Sequence, residues 1–146
     1  MGHTVLVVVD DDPRRDATAR ALVAAGLQVS TAADAGEALE LLSRNPRAVR
    51  LVVADLDVEP IGGFNLARAI HRRWTSIPVA IVGEATRTMT TRARAAGVVL
   101  LPRDAAPDHL AGAITKLLGT GNLALSLAMM SESSSGLPSF VDEPRA

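Results

Sequence analysis

Short apolar runs alternate with amphipathic segments along most of the chain. Val5–Val9 is continuously apolar and breaks at Asp10, Asp11 and Asp12. A run that is apolar on both faces suits a central parallel strand covered by helices on each side. Pro13 stands where a first helical residue is tolerated, with Asp12 as the expected N-cap. Ala17, Leu22 and Val23 then carry an apolar face until Gly26 stops the helix. Leu27, Val29 and Thr31 alternate as a second strand. Asp34 followed by Glu37 has the spacing of a capping box, and the stripe Ala38, Leu39, Leu41, Leu42 behind it ends at Asn45-Pro46.

The unit recurs three more times. Leu51–Ala54 is a strand that ends in Asp55, followed by a loop with Pro60, Gly62 and Gly63 and a helix over Phe64 to Arg73. Ile77–Val82 is a fourth strand, and a helix over Thr86 to Ala95 stops at Gly97. Val98–Leu101 is a fifth strand, and Pro107 to Leu118 a fifth helix. Strict alternation of strand and helix predicts an α/β fold, a doubly wound five-stranded parallel sheet with helices on both faces. The rhythm breaks at Gly119–Ala146, which holds the apolar Leu123–Met130 and a serine-rich Ser131–Gly136. Residues 1–118 therefore read as one domain and 119–146 as a C-terminal tail or linker.

Composition narrows the function. The chain of 146 residues is 48% hydrophobic with a net charge of -1, which excludes disorder throughout. It contains no cysteine, so disulfides, thiolate metal sites and a cysteine nucleophile are excluded. Basic and acidic residues balance at 15 and 16, against a dedicated nucleic-acid binder. No apolar stretch reaches the ~20 residues of a membrane span, and no signal peptide opens the chain.

In an open parallel sheet, ligands bind outside the carboxyl ends of the strands. Asp10, Asp11 and Asp12 follow the first strand, and Asp55 and Asp57 follow the third. Should those strands be neighbours, Asp10, Asp11 and Asp55 converge, and like charges so close repel unless a cation neutralises them. Oxygen ligands without His or Cys point to Mg²⁺. Asp12 fits a plain capping role. His3, His71 and His109 are scattered and read as surface residues, and Arg68, Arg72 and Arg73 as a solvated helix face.

Val5-Leu-Val-Val-Val-Asp10-Asp11-Asp12-Pro13, Leu51-Val-Val-Ala-Asp55, Gly63-Phe64, Ile77-Pro78-Val79 and Ala96-Gly97 stand in an order and spacing that resembles the receiver domains of two-component response regulators. The resemblance covers residues 3–118. It implies a flavodoxin-like sheet of order 2-1-3-4-5, with Asp55 as phosphoacceptor. It further implies that Asp11 and Asp55 bind Mg²⁺ directly, that Asp10 does so through water, and that the backbone carbonyl of Asp57 completes the site. The implied partners are a sensor histidine kinase or histidine phosphotransfer protein and a downstream target protein, with homodimerisation as a further option. The implied setting is cytoplasmic and bacterial, with no nucleic acid bound by this domain and no membrane.

The family pattern is incomplete. Its hydroxyl-bearing Thr or Ser after the fourth strand is replaced by Gly83, followed by Glu84. Its Lys after the fifth strand is matched by Arg103 when counted back from Pro107, and by Asp104 when counted forward from Gly97. Arg103 is a candidate substitute, since guanidinium binds phosphate well, although its fork is larger and flatter. The aromatic near Leu100 is absent, and Glu59-Pro60 replaces the usual Pro-Gly. The expectation is an atypical, stand-alone receiver rather than an enzyme. The alternatives are a phosphorylation-independent pseudo-receiver that only binds proteins, and an Asp-nucleophile, Mg²⁺-dependent phosphatase suggested by Asp55-Leu56-Asp57.

Overall fold

The structure is a computed structural model and describes residues 4–119. Its strands are β1 (Thr4–Val8), β2 (Gln28–Ala32), β3 (Val49–Asp55), β4 (Val79–Gly83) and β5 (Val99–Pro102). They alternate with helices α1 (Asp12–Ala24), α2 (Ala35–Arg44), α3 (Gly63–Arg73), α4 (Arg87–Ala96) and α5 (Pro107–Gly119). The strands form one parallel sheet of order β2-β1-β3-β4-β5, as the resemblance implied. The tail beyond Gly119, with Leu123–Met130, lies outside the described residues.

Two cores explain why the central strands are apolar at every position. Successive strand side chains point to opposite faces. Leu6, Val8, Val52, Ala54 and Ile81 pack with Ala38, Leu42, Leu66 and Ile70 on one face. Val5, Val7, Leu51, Val53 and Val82 pack with Leu22, Leu110, Ile114 and Leu117 on the other. Strands β2 and β5 lie at the edges; in β2, Gln28, Ser30 and Thr31 are exposed, so the expected alternation of Leu27, Val29 and Thr31 fails at Thr31, which faces solvent rather than the core.

Most helix starts follow their sequence signals. The Asp34 Oδ1 accepts from the Glu37 N–H at 2.8 Å, and the Glu37 carboxylate accepts from the Ala33 N–H. Thr86 caps α4 through the Met89 N–H at 3.1 Å, and Gly97 closes that helix in the left-handed region at φ 71°. One cap differs from expectation. Asp11, not Asp12, caps α1: its backbone is extended, and its Oδ2 accepts from the Arg14 N–H at 3.0 Å. Asp12 is instead the first helical residue and pairs with Arg15.

Candidate functional site

Strands β1 and β3 are neighbours, with Val8 opposite Ala54, so Asp10, Asp11 and Asp55 all reach the carboxyl edge of the sheet there. Asp55 ends β3 and is 2% exposed, the one buried charged residue among those described. Its backbone is fixed on two sides. The next N–H, of Leu56, donates to the Val82 carbonyl at 2.9 Å, and the Asp55 carbonyl accepts from Val58. From the other side, Gly63 at the start of α3 packs so close that a Cβ there would lie 2.7 Å from the Asp55 carbonyl oxygen.

A buried carboxylate has to be paired or hydrogen-bonded. Here two arginines approach the same oxygen. Arg14 Nη2 lies 2.5 Å from Asp55 Oδ1, and Arg103 Nη2 lies 3.7 Å from it. The second oxygen, Oδ2, accepts from the Asp57 N–H at 3.4 Å. The hydrogen bond from Arg14 to Asp55 raises the Arg14 pKa above its ordinary value, with partial burial opposing. Arg14 was not among the residues singled out in the sequence. The one signal in the sequence was the excess of acids, which calls for a cation without telling Arg14 from Arg15.

Arg103 is anchored at three points. Its N–H donates to the Gly83 carbonyl at 3.0 Å, its Nη2 donates to Asp57 Oδ2 at 2.9 Å, and the same Nη2 faces Asp55. Its Nε is buried with no hydrogen-bond partner. With Gly83 opposite Pro102 in the β4–β5 register, Arg103 is the residue of the two that reaches Asp55, while Asp104 is exposed. Asp10 Oδ2 accepts from the Glu59 N–H at 3.3 Å, and Asp11 spends one oxygen on its cap.

Gly83 has a packing reason to lack a side chain. A Cβ built there would lie 3.1 Å from both Cβ and Cδ2 of Leu56. A new rotamer could move Cδ2, but the Leu56 Cβ is fixed to its backbone. Gly83→Thr is therefore expected to destabilise the fold by about 1–3 kcal/mol, the usual range for overpacking. Pairing it with Leu56→Ala should recover part of that loss in urea unfolding.

The oxygen-only donor set of Asp10, Asp11 and Asp55 on adjacent strand ends suits Mg²⁺, which needs only one or two carboxylates. Among the described residues, no group of three His, Cys, Asp or Glu side chains is gathered closely enough to hold a metal as arranged. Arginine supplies the positive charge beside Asp55 instead. A bound cation thus fits the chemistry of the donors, and it would compete with Arg14 for the Asp55 carboxylate.

Residues 5–115 match the family model described as the response regulator receiver domain. Among solved structures, a receiver domain protein (CheY-like) from Methanospirillum hungatei JF-1 is similar at 25% identity and a TM-score of 0.70, over 81% of this chain and 94% of that one. The chemotaxis response regulator CheY4 of Vibrio cholerae is similar at 23% identity and 0.72, over 80% and 98%, a likeness of fold alone. NtrX from Brucella abortus is similar at 27% identity and 0.73, over 88% of this chain but only 29% of NtrX. No curated protein matches the sequence.

Proposed function

The chain belongs to the response regulator receiver domain family of two-component systems, and from that premise we propose that Asp55 is its phosphoacceptor. The observation that carries this reading is the placement of Asp55: a buried carboxylate at the end of β3, 2% exposed, facing two guanidiniums at the edge where ligands of parallel sheets bind. Receiver domains are in general signalling modules, and this one is proposed to act by protein contact rather than turnover.

The donor in this reading is a phosphohistidine on a sensor kinase or a phosphotransfer protein. A carboxylate oxygen of Asp55 attacks phosphorus, the N–P bond breaks, and its electron pair returns to the imidazole, which is protonated as it leaves. Both reactants are anionic, so the step needs positive charge held in place. Asp10, Asp11, Asp55 and the Asp57 carbonyl would hold Mg²⁺, which neutralises and orients the phosphoryl oxygens when bound. Arg103 stands where a second cation is useful. Its Nη2 already lies between Asp55 and Asp57, and a phosphoryl oxygen would replace the Asp57 carboxylate as its partner.

Incubation with acetyl phosphate and Mg²⁺ should add the mass of one phosphoryl group, and Asp55→Ala should abolish the gain. Arg103→Ala should keep the site but slow uptake by about tenfold or more, the effect of removing one charge-assisted contact.

The pairing of Asp55 with Arg14 favours one second reading, a pseudo-receiver that binds partners without phosphorylation. No mass gain in a folded wild-type chain, with partner binding unaffected by Asp55→Asn, would establish it in place of the first.

A further inference from the structure

Helices α3 and α4 contain no acidic residue, yet they carry Arg68, Arg72, Arg73, Arg87, Arg92 and Arg94. Arg72, Arg73 and Arg94 stand in last helical turns, where the dipole favours a cation, but local physics disfavours two other features. Arg87 is the first residue of α4, where the helix dipole opposes a cation. Arg68 and Arg72 are like charges one turn apart, which repel on a helix surface. Sequences that break local rules in this way do so most often where function sets the residue.

The structure turns part of this charge inward. A groove of about 380 Å³ between the two helices is lined by Phe64, Arg68, His71, Arg92, Ala95 and Ala96. Its lining holds three basic side chains and no carboxylate. The Arg92 guanidinium lies 4.3 Å from the centroid of the Phe64 ring, held there by a cation–π contact. Ala95 and Ala96 are too small to fill the space. Neither Arg68 nor Arg92 pairs with a carboxylate among the described residues, whereas the arginines at the sheet edge all do. Arg68 and Arg92 are therefore left without an internal carboxylate partner within the described residues.

We propose that the α3–α4 groove docks an acidic segment of a partner protein. One carboxylate of the segment would sit between Arg68 and Arg92, and an apolar side chain beside it would lie against Ala95, Ala96 and the edge of Phe64. Charge complementarity selects an anionic occupant, and the concave, partly apolar lining selects a peptide over a nucleic acid. A single-stranded nucleic acid needs an exposed aromatic face for stacking. The Phe64 ring is buried and capped by Arg92, so it offers none. The acidic edge at Asp10–Asp12 would also repel a long polyanion.

The test uses the full chain and the peptide acetyl-Glu-Glu-Leu-Glu-Glu-amide. Backbone NMR shifts on titration should cluster at residues 64–72 and 92–96, and should weaken with added salt. Arg68→Glu/Arg92→Glu should lower the affinity about tenfold or more, and Arg68→Lys/Arg92→Lys should retain most of it. Thermal unfolding of each variant separates lost binding from lost fold, since these exposed positions should leave stability nearly unchanged. Phosphoryl uptake at Asp55 should persist in both double variants, which keeps this result separate from the phosphoacceptor reading. Shifts confined to the carboxyl edge, equal affinity in the charge-reversed variant, or tighter binding of a short oligothymidylate at the same residues would each overturn the proposal.

Discussion

Gly63→Ala is expected to destabilise the fold by about 2–3 kcal/mol, at the upper end of overpacking costs. A Cβ at this position would lie 2.7 Å from the Asp55 carbonyl oxygen, 3.2 Å from the Leu56 Cα and 3.0 Å from the Ile81 Cδ1. Only the last of these belongs to a side chain that can rotate away. The other two are backbone atoms at the end of β3, which the Leu56-to-Val82 hydrogen bond ties into the sheet. Helix α3 must therefore retreat, and that stretches the 2.9 Å hydrogen bond from the Gly63 N–H to the Leu56 carbonyl. The control is Gly112→Ala in α5, where nothing lies within 4 Å of an added Cβ. Relief of glycine's conformational entropy inside a helix should stabilise that variant by about 0.5–1 kcal/mol. Urea unfolding of the two variants should thus move in opposite directions. Because Gly63 touches the backbone of Asp55, the proposed phosphoacceptor, its variant should also take up phosphoryl groups more slowly. Unchanged stability in Gly63→Ala would mean that α3 does not pack against Asp55 as described.

The architecture was legible because each central strand is buried on both faces and so keeps an unbroken apolar run. The edge strand β2 was legible as a strand but not in its alternation, because an edge position leaves Thr31 open to solvent. The acids were legible too, since a parallel sheet gives the residue after each strand a defined place, and Asp55 follows Ala54 directly.

Arg14 was not legible, and the reason is rotational. In a helix each residue turns side chains by about 100°, so moving the start by one residue changes which arginine faces the sheet edge. With Asp11 as the cap, Arg14 meets Asp55, while Arg15 turns to the Val9 carbonyl and Asp12. Nothing local to Pro13-Arg14-Arg15 separates the two residues. The Arg103 count was undecided for a related reason, because loop lengths do not fix register, whereas the pairing of Gly83 with Pro102 does. Gly83 announced a missing hydroxyl, but the Leu56 side chain that fills its space comes from a segment 27 residues away in the chain.

Arg14→Ala should weaken the fold without Mg²⁺ and make it respond more strongly to Mg²⁺. Removing one member of a fully buried ion pair costs about 3–5 kcal/mol, because the remaining charge is left uncompensated. The Arg14 side chain is 42% exposed, so solvent screens the pair and the cost should fall to about 1–2 kcal/mol. Arg103, at 3.7 Å from the same oxygen, limits the loss further. The second effect follows from competition for one atom. In the proposed site a divalent cation would take the Asp55 oxygen that Arg14 holds, so binding in the wild type would first break a 2.5 Å contact. Without that competitor, Mg²⁺ should bind about tenfold more tightly, equivalent to about 1.4 kcal/mol. At saturating Mg²⁺ the variant should then regain most of the stability it loses in chelator, since a ligand stabilises the state it binds by RT ln(1 + [L]/Kd). Arg14→Lys should fall between the two, because an ammonium keeps the charge but lacks the guanidinium fork. Unfolding curves for the three proteins across a Mg²⁺ series contain the whole comparison. Parallel curves, with the same gain per increment of Mg²⁺ in each protein, would show that Arg14 and the cation do not share the oxygen.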